Sequence, residues 1–470
     1  MDAITKSREN RDFTKGNLLK KIIIYLIPLF LANALQLFFT TMDLITVTQF
    51  GNGNISSGAI GATNNLINLI LCTFWGVTGG ASVVIANARG SYDIDKIKRA
   101  IGSSTLLMFF AGLIVMFFGL RFSKDLLIAL ETKPEFLEKS TEYVSIFFLG
   151  SVFNLLYNMG AGILRALGDT KRPFIAVVIS GVINIGLNFL FVIAFKWDVK
   201  GVAIATITSQ AIAMLVVYFF LMKDKRLVAN FEFKYLRIYA SETKDILRLG
   251  IANGLQGFIF NFTNVNIQKC TNIIGPEATI GKAAASNVEG YQYGLLNAIS
   301  NTCLVAVSQN YGAKKKERMT HSLLLTIALE AVLVTSFDLM LILFSKPLLS
   351  LFIASGESTT ELATELAIRS LIIMGVPYAL CGIAECFAFF LRGMKYAVVP
   401  TVVSLLCIVG IRMFYIYFLF DIEFFHTFDW VFILYPITWT VCCLVYIPIC
   451  IFLGKHKFKQ LDLENLYEAE

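Results

Sequence analysis

The chain has 470 residues, 56% of them hydrophobic and only 16% charged, with a formal net charge of +7 and a mean hydropathy of +0.69. Soluble domains average about 45–50% apolar and about 25% charged residues, so this composition excludes an ordinary soluble protein and indicates a polytopic membrane protein. It also argues against nucleic acid as a partner, because the positive charges lie between apolar runs instead of forming one basic surface.

Apolar runs of roughly 17–25 residues, long enough to cross a bilayer, recur along the whole chain. They predict twelve transmembrane spans, at residues 22–48, 56–86, 100–121, 136–164, 173–195, 201–222, 246–272, 281–308, 321–345, 363–391, 399–420 and 430–454. A charged stretch after the sixth span separates a cytoplasmic N-terminal tail and an N-lobe from a C-lobe and a cytoplasmic C-terminal tail. We predict an N-terminal tail at residues 1–21, an N-lobe at 22–222, a linker at 223–245, a C-lobe at 246–454 and a C-terminal tail at 455–470. The predicted fold class is an all-α membrane protein with twelve transmembrane helices in two pseudo-symmetric six-helix lobes.

Lysine and arginine set the expected orientation. Of the 40 such residues, 29 fall in the two tails and in the loops after the even-numbered spans, ten lie on the opposite side, and Arg412 lies within span eleven. Because positive loops stay in the cytoplasm, we predict that both termini are cytoplasmic. The expected location is the plasma membrane, or the inner membrane if the source is bacterial.

The two halves of the chain resemble each other. Leu164 and Arg165 precede Pro173 by the interval at which Leu391 and Arg392 precede Pro400. The segment from Leu31 to Gln36 likewise resembles the segment from Ile251 to Gln256. Copies of six spans each run parallel and are related by an axis along the membrane normal. Such a duplicated bundle is transporter architecture, and it favours a self-sufficient monomer.

The first span carries a single polar stripe. Asn33, Gln36, Thr40 and Asp43 follow one another at helical spacing, and Pro28 removes a backbone hydrogen bond and can bend the helix. A carboxylate at this depth must be paired, hydrated or protonated. One hypothesis is that Asp43 binds Na+ or H+, and the alternative is that it lies near the outer end of the span and is simply hydrated.

Pairs of amide and hydroxyl side chains recur on other spans of the first half. They are Asn64 and Asn68, Asn154 and Asn158, Asn184 and Asn188, and Thr206 and Gln210. Their oxygens suit a hard cation, although any one pair can also tie helices together by hydrogen bonds. Because the stripes occur on five of the first six spans, they favour a wet interior.

Ionisable residues lie in or near the spans of the second half, namely Glu289, Glu330, Asp338, Glu385 and Arg412. An unpaired arginine in hydrocarbon costs several kcal/mol, so we expect a partner for Arg412, with Glu385 as first candidate and Glu289 as second. Both a structural ion pair and a proton-sensitive or substrate-facing acid remain open. Asn253 and Gln256 add polar lining to span seven.

No enzyme or cofactor motif is visible. The phosphate-binding pattern GxxxxGK[ST] and the zinc pattern HExxH are absent, and no cysteine pair has metal-ligand spacing. We therefore expect no cofactor and no metal other than a coupling ion. Gly76, Gly79 and Gly80 predict a close approach of span two to another helix.

The chain resembles the multidrug and toxic-compound extrusion (MATE) transporters over nearly its whole length. The resemblance rests on LRALGDTKRP at residues 164–173, its echo LRGMKYAVVP at 391–400, GVAIAT at 201–206, and the spacing of Pro28 and Asp43. It implies two six-helix lobes that form a V, and export of small organic, often cationic compounds by alternating access against entry of Na+ or H+. Membrane lipid is the other expected partner.

The resemblance also implies site residues. In DinF-like members the N-lobe cation site would correspond to Asp43, Asn184 and Thr206, while Asn188 replaces a second acid. This loss of charge implies weaker Na+ binding, or Asp43 as the sole titrating group. Cys381 stands where NorM-like members carry an acid, and Glu385 lies one turn later, which argues against a NorM-type mechanism in the C-lobe.

Three alternatives have separate signatures. A flippase for lipid-linked oligosaccharides, from the same superfamily, needs several basic residues to hold pyrophosphate, and only Arg412 is deep within a span. A membrane-embedded enzyme needs a nucleophile–base or metal constellation, which is not visible. A channel needs an oligomeric pore, and it would carry continuous ion current where a transporter shows counterflow.

Overall fold

The computed structural model describes residues 11–51, 53–130, 132–223, 227–350, 352 and 359–469. Every regular element in this part of the chain is helical, which confirms the all-α prediction. Parts of all five predicted segments lie outside the described residues: 1–10 of the N-terminal tail, 52 and 131 of the N-lobe, 224–226 of the linker, 351 and 353–358 of the C-lobe, and 470 of the C-terminal tail.

Six helices build the first half, each over one predicted span. They are α1 (Leu18–Phe50), α2 (Asn54–Gly90), α3 (Ile94–Ala129), α4 (Pro134–Leu149 and Ser151–Ala166), α5 (Lys171–Asn188, continued by the π-helical turn Phe189–Ala194) and α6 (Asp198–Lys223). α1 runs unbroken through Pro28, although proline can bend a helix. A short 3-10 turn, Phe233–Tyr235, follows α6.

Six helices again follow in the second half. They are α7 (Ala240–Ile274), α8 (Pro276–Gly312), α9 (Lys316–Leu329, the π-helical turn Glu330–Val334 and Thr335–Leu343), α10 (Thr359–Gly375 and Tyr378–Gly393), α11 (Val398–Ser404, Leu405–Gly410, Ile411–Phe414 and Tyr415–Leu419, the second and fourth of these π-helical) and α12 (Phe428–Ala469). A short helix, Ser345–Leu349, follows α9.

Eight helices of the described chain are individually long and apolar enough to cross a bilayer, and ten are if each bent pair forms one span. The other two, α7 and α8, are 35 and 37 residues long but carry several amide and charged side chains. All twelve helices are therefore long enough to cross a bilayer. The polar content of α7 and α8 indicates that parts of these two helices face protein or water instead of lipid.

Two predicted spans are broken. α4 bends by 53° at Gly150, and α10 bends by 46° between Gly375 and Tyr378. Pro377 lies in the second break and cannot donate a backbone hydrogen bond, which explains the interruption there. These are the fourth helix of each half, so the duplication extends to an irregularity that apolar run length does not show.

The turn between α4 and α5 contains the segment LRALGDTKRP, on which the family resemblance rests. Gly168 has φ +82° and lies against the carbonyl of Arg11, a conformation and a close approach that favour glycine. The Asp169 carboxylate accepts from the backbone N–H of Lys171 at 3.2 Å and pairs with the Arg172 guanidinium. The motif therefore caps the start of α5 and fixes its direction.

Residues 11–17 fold back over the start of α1. Phe13 is buried against Tyr25, and the Asp12 carboxylate accepts from the Thr14 backbone N–H at 2.9 Å and from the Tyr92 hydroxyl in the α2–α3 turn. Burial raises the pKa of Asp12, but the hydrogen bonds from Thr14 and Tyr92 and the charge of Arg89 outweigh it, so the pKa lies below its ordinary value. This segment ties α1 to the turn between α2 and α3.

The chain forms two compact units, Met1–Gly254 and Leu255–Glu470. Their boundary lies inside α7, whereas the charged stretch after the sixth span predicts a linker at residues 223–245. Glycines explain the difference, because a Cβ on Gly80 would stand 2.5 Å from the carbonyl oxygen of Ile246 and 2.7 Å from the backbone nitrogen of Gly250. The predicted close approach of span two is confirmed, and it joins the first half of α7 to the first unit.

Candidate cation site

In the first unit, α1, α5 and α6 bring four of the predicted side chains together. Asp43 on α1 is 9% exposed and lies beside Asn184 and Asn188 of α5 and Thr206 of α6. α1 and α5 approach closely because Gly181 leaves room for the ring of Phe39. The carboxylate thus sits inside the helix bundle, and it has no ion-pair partner among the described residues.

Neutral donors hold the Asp43 carboxylate. The Asn188 Nδ2 donates to Asp43 Oδ1 at 2.5 Å and to Asn184 Oδ1 at 3.3 Å. The Thr206 hydroxyl lies 3.5 Å from Asp43 Oδ2 and donates at 2.9 Å to the carbonyl of Val202. Asn188 is therefore the main partner, and the threonine contact is at the limit of a hydrogen bond.

The oxygen atoms of this cluster suit a small hard cation. The Oδ1 of Asn188 is buried and has no hydrogen-bond partner in the described structure. Rotation of this amide would turn an oxygen toward the carboxylate, so a carboxylate, amide oxygens and a hydroxyl could face one ion. The carboxylate can equally take up a proton. Among the described residues, no group of three or more His, Cys, Asp or Glu side chains could hold a transition metal.

Tyr143 on α4 belongs to the same cluster and was missed by the sequence analysis. It is buried and interacts electrostatically with Asp43. The sequence shows only one aromatic residue among many in an apolar run. Its packing against α6 is a tertiary property, so no local signal could have found it.

The other polar residues predicted in the first unit do not all converge on Asp43. Gln36 and Thr40 are exposed, and Gln36 Nε2 donates at 3.3 Å to the hydroxyl of Tyr157. The Asn158 amide donates at 2.9 Å to the Asn154 carbonyl within α4. Three more of the predicted residues are half-buried, namely Asn33, Asn64 and Gln210. The side-chain oxygen of Gln210 has no hydrogen-bond partner in the described structure.

Arg412 in the second unit does not pair with Glu385 or Glu289, so that expectation was wrong. The fully buried guanidinium stacks on the ring of Tyr435, 4.0 Å from its centroid, and lies 5.4 Å from that of Phe260. Its nitrogens reach Asn264 Oδ1 at 3.5 Å and Thr438 Oγ1 at 3.4 Å. The Arg412 guanidinium is therefore surrounded by the faces of aromatic rings and by neutral side-chain oxygens, and not by a carboxylate.

The remaining predicted lining residues are dispersed. Gln256 accepts a hydrogen bond from Arg392, while Asn253 lies on the first-unit part of α7, near Gly79 of α2. Glu289 and Glu385 are half-buried, and each has one buried oxygen with no partner in the described structure. The two acids therefore combine partial access with incomplete hydrogen bonding.

Comparison with known proteins gives evidence for the family that is independent of the site geometry. The MatE family model matches residues 28–190 and 251–418, more than half of the chain. The probable multidrug resistance protein YoeA of Bacillus subtilis (strain 168) is 25% identical over 408 residues, covering 85% of this chain and 86% of that protein. The probable multidrug resistance protein YpnP of the same organism is 28% identical over 351 residues, covering 74% and 77%.

A solved structure shares the fold. The crystal structure of a MATE protein in complex with MaL6 has a TM-score of 0.85 at 20% sequence identity, covering 96% of this chain and 98% of that one. Asp43, Asn184 and Asn188 fall within the residues matched by the family model, and Thr206 falls between the two matched segments.

Proposed function

The chain belongs to the MatE family of multidrug efflux transporters, and from this premise we propose that it exports organic, cationic compounds across the plasma membrane in exchange for Na+ or H+. The observation that carries the proposal is the Asp43 carboxylate, which is inside the bundle and is held by Asn188 and Thr206 without a cationic partner among the described residues. Family members are transporters, not enzymes, and relatives that are named as multidrug resistance proteins support a small organic substrate.

Coupling rests on the exchange of partners at Asp43. With its amide N–H toward the carboxylate, Asn188 stabilises one arrangement of α1 and α5, whereas a bound ion would need an amide oxygen there. A coupling ion shifts the conformational equilibrium only if it binds the two states with different affinity. Pro28 supplies a point at which α1 can bend between these states, since it lacks a backbone N–H.

The half-buried acids of the second unit suit a cationic substrate. Glu289 and Glu385 each present a carboxylate with an unsatisfied oxygen, and an organic cation would interact favourably with it. The flippase alternative is not favoured, because Arg412 is fully buried against Tyr435 and is not accessible to a pyrophosphate.

Transport of ethidium into proteoliposomes, with Na+ and pH gradients imposed separately, tests the proposal. Wild-type protein should accumulate ethidium under at least one gradient. Asp43→Asn should reduce this accumulation about tenfold or more, because coupling free energies are typically about 1–3 kcal/mol. The exposed Asp125 provides a matched Asp125→Asn control that should transport like wild type. Gradient-driven accumulation by Asp43→Asn at the wild-type rate would refute the proposed role of Asp43.

A further inference from the structure

Glu330 is a buried acid in the second unit that the proposed coupling does not use. It is the first residue of the π-helical turn Glu330–Val334 in α9, and its side chain is fully buried. π-helical turns within α-helices are rare and occur frequently at functional sites. This backbone irregularity marks Glu330 independently of its charge.

The contacts of the Glu330 carboxyl group are few and neutral. Oε1 accepts from the Ser300 hydroxyl at 3.2 Å and lies 3.8 Å from the sulfur of Cys386. Oε2 is buried and has no hydrogen-bond partner in the described structure. Gly382 leaves room for the group, since a Cβ at that position would stand 2.5 Å from the Glu330 Cδ.

No positive charge compensates this carboxyl group among the described residues. Its contacts are Ser300 of α8 and Cys386 of α10, and it interacts electrostatically with the acid Glu385 of α10. The ionisable groups that interact with Glu330 are therefore one thiol and one acid, and neither carries the positive charge that would compensate a carboxylate anion.

A buried carboxylate anion without a cation is costly by several kcal/mol, whereas a neutral carboxylic acid is much less so. We propose that Glu330 is a second proton-binding site of the transporter, neutral in this conformation and able to release its proton when the helices around it rearrange. This inference extends the proposed ion exchange and rests on it for its part in transport. The O–H bond at Oε2 breaks, the proton passes to water that enters on rearrangement, and the carboxylate left behind accepts hydrogen bonds from Ser300 and Cys386.

Infrared difference spectroscopy of the full-length protein in detergent, between acid and alkaline pH, tests the site directly. A protonated carboxyl group has a C=O stretching band that disappears on deprotonation. Glu330→Gln keeps the size of the side chain but carries no titratable proton, so this band should be lost from the difference spectrum. Glu365 is an exposed glutamate of the same unit, and Glu365→Gln should retain the band.

An unchanged difference spectrum in a folded Glu330→Gln variant would overturn the proposal. If this variant does not fold, Ser300→Ala takes its place, because loss of the hydrogen bond to Oε1 should shift the band, and an unshifted band would equally reject the site. In proteoliposomes, Glu330→Gln should lower pH-driven ethidium accumulation by about tenfold. Wild-type protein without any gradient-driven transport would refute the proposed function, while the infrared result would still decide whether Glu330 binds a proton.

Discussion

The two compact units each contain a polar cluster within their helices, and the clusters use corresponding helices with opposite charges. In the first unit, the first, fifth and sixth helices contribute Asp43, Asn188 and Thr206. In the second unit, the seventh, eleventh and twelfth helices contribute Asn264, Arg412 and Thr438. A carboxylate among neutral donors is thus matched by a guanidinium among neutral acceptors.

This difference shows how duplication preserves architecture while separating roles. The Asp43 carboxylate has neutral partners and can exchange them for an ion. The Arg412 guanidinium carries a permanent charge that is stabilised by the faces of Tyr435 and Phe260. A cation cannot bind beside it without repulsion, so ion exchange in the second unit requires another group, and Glu330 is the one we propose.

The largest expected effect is on stability and comes from Arg412. Arg412→Ala should lower the free energy of unfolding by about 2–4 kcal/mol, because it leaves a cavity beside Tyr435. Arg412→Met fills the same volume without the charge and should stay within about 1 kcal/mol of wild type, since a buried charge contributes little net stability. Thermal unfolding in detergent measures both variants.

An equal loss in the free energy of unfolding for Arg412→Ala and Arg412→Met would contradict the role assigned to Arg412. It would show that the charge itself is required, and therefore that the second cluster has an anionic partner in another conformation. Ethidium transport by Arg412→Met should also remain coupled, in contrast to transport by Asp43→Asn.

The next largest effect concerns the identity of the ion. Asn188→Asp restores the second acid that the family resemblance implies, and it places a second negative charge beside Asp43. We expect Na+ affinity to rise about tenfold, because cation affinity increases with the charge of the ligands. The measurement is the rise in melting temperature with Na+ concentration. Asn158→Asp, which alters an amide bonded within α4, should leave the Na+ response unchanged. The same response in both variants would indicate a general charge effect.

A smaller effect on stability is expected in the N-terminal segment that packs on the start of α1, away from the cation site. Asp12 has a lowered pKa in the folded protein, so its contribution to stability is present above the pKa of the unfolded chain and is lost as the pH falls through the folded value. Asp12→Asn should therefore lower stability at neutral pH by about 1 kcal/mol after allowance for solvent screening. The difference from wild type should disappear in acid, and a difference independent of pH would show that the carboxylate charge is not involved.

The smallest effect is expected at Thr206. Its hydroxyl is at the limit of contact with Asp43 and bonds mainly to Val202. Thr206→Val should therefore change ion affinity by less than about 1 kcal/mol, or about fivefold. Titration of ion-dependent fluorescence or of melting temperature measures this affinity. A loss of ion affinity as large as that of Asp43→Asn would show that Thr206 coordinates the ion directly in the ion-bound state.

Much of the fold follows from local properties of the sequence. The length of each apolar run predicted twelve helices, because every backbone group in hydrocarbon must be satisfied within its own helix. The pairing of Asp43 with Asn184, Asn188 and Thr206 was also anticipated, through the resemblance of their segments to a known family. The sequence did not predict the bend at Gly150, since a helical break depends on what packs against it.

The sequence alone determined that this chain crosses a membrane as a duplicated set of helices and that Asp43 is an isolated acid in the first of them. Only the tertiary structure decided which side chains meet, because the partners of a residue depend on the rotation and crossing of whole helices. It placed aromatic rings beside Arg412 where a glutamate was expected, and it joined the start of α7 to the first unit through glycine contacts. It also buried Glu330 among neutral groups, an environment that hydropathy, which averages over a span, cannot register.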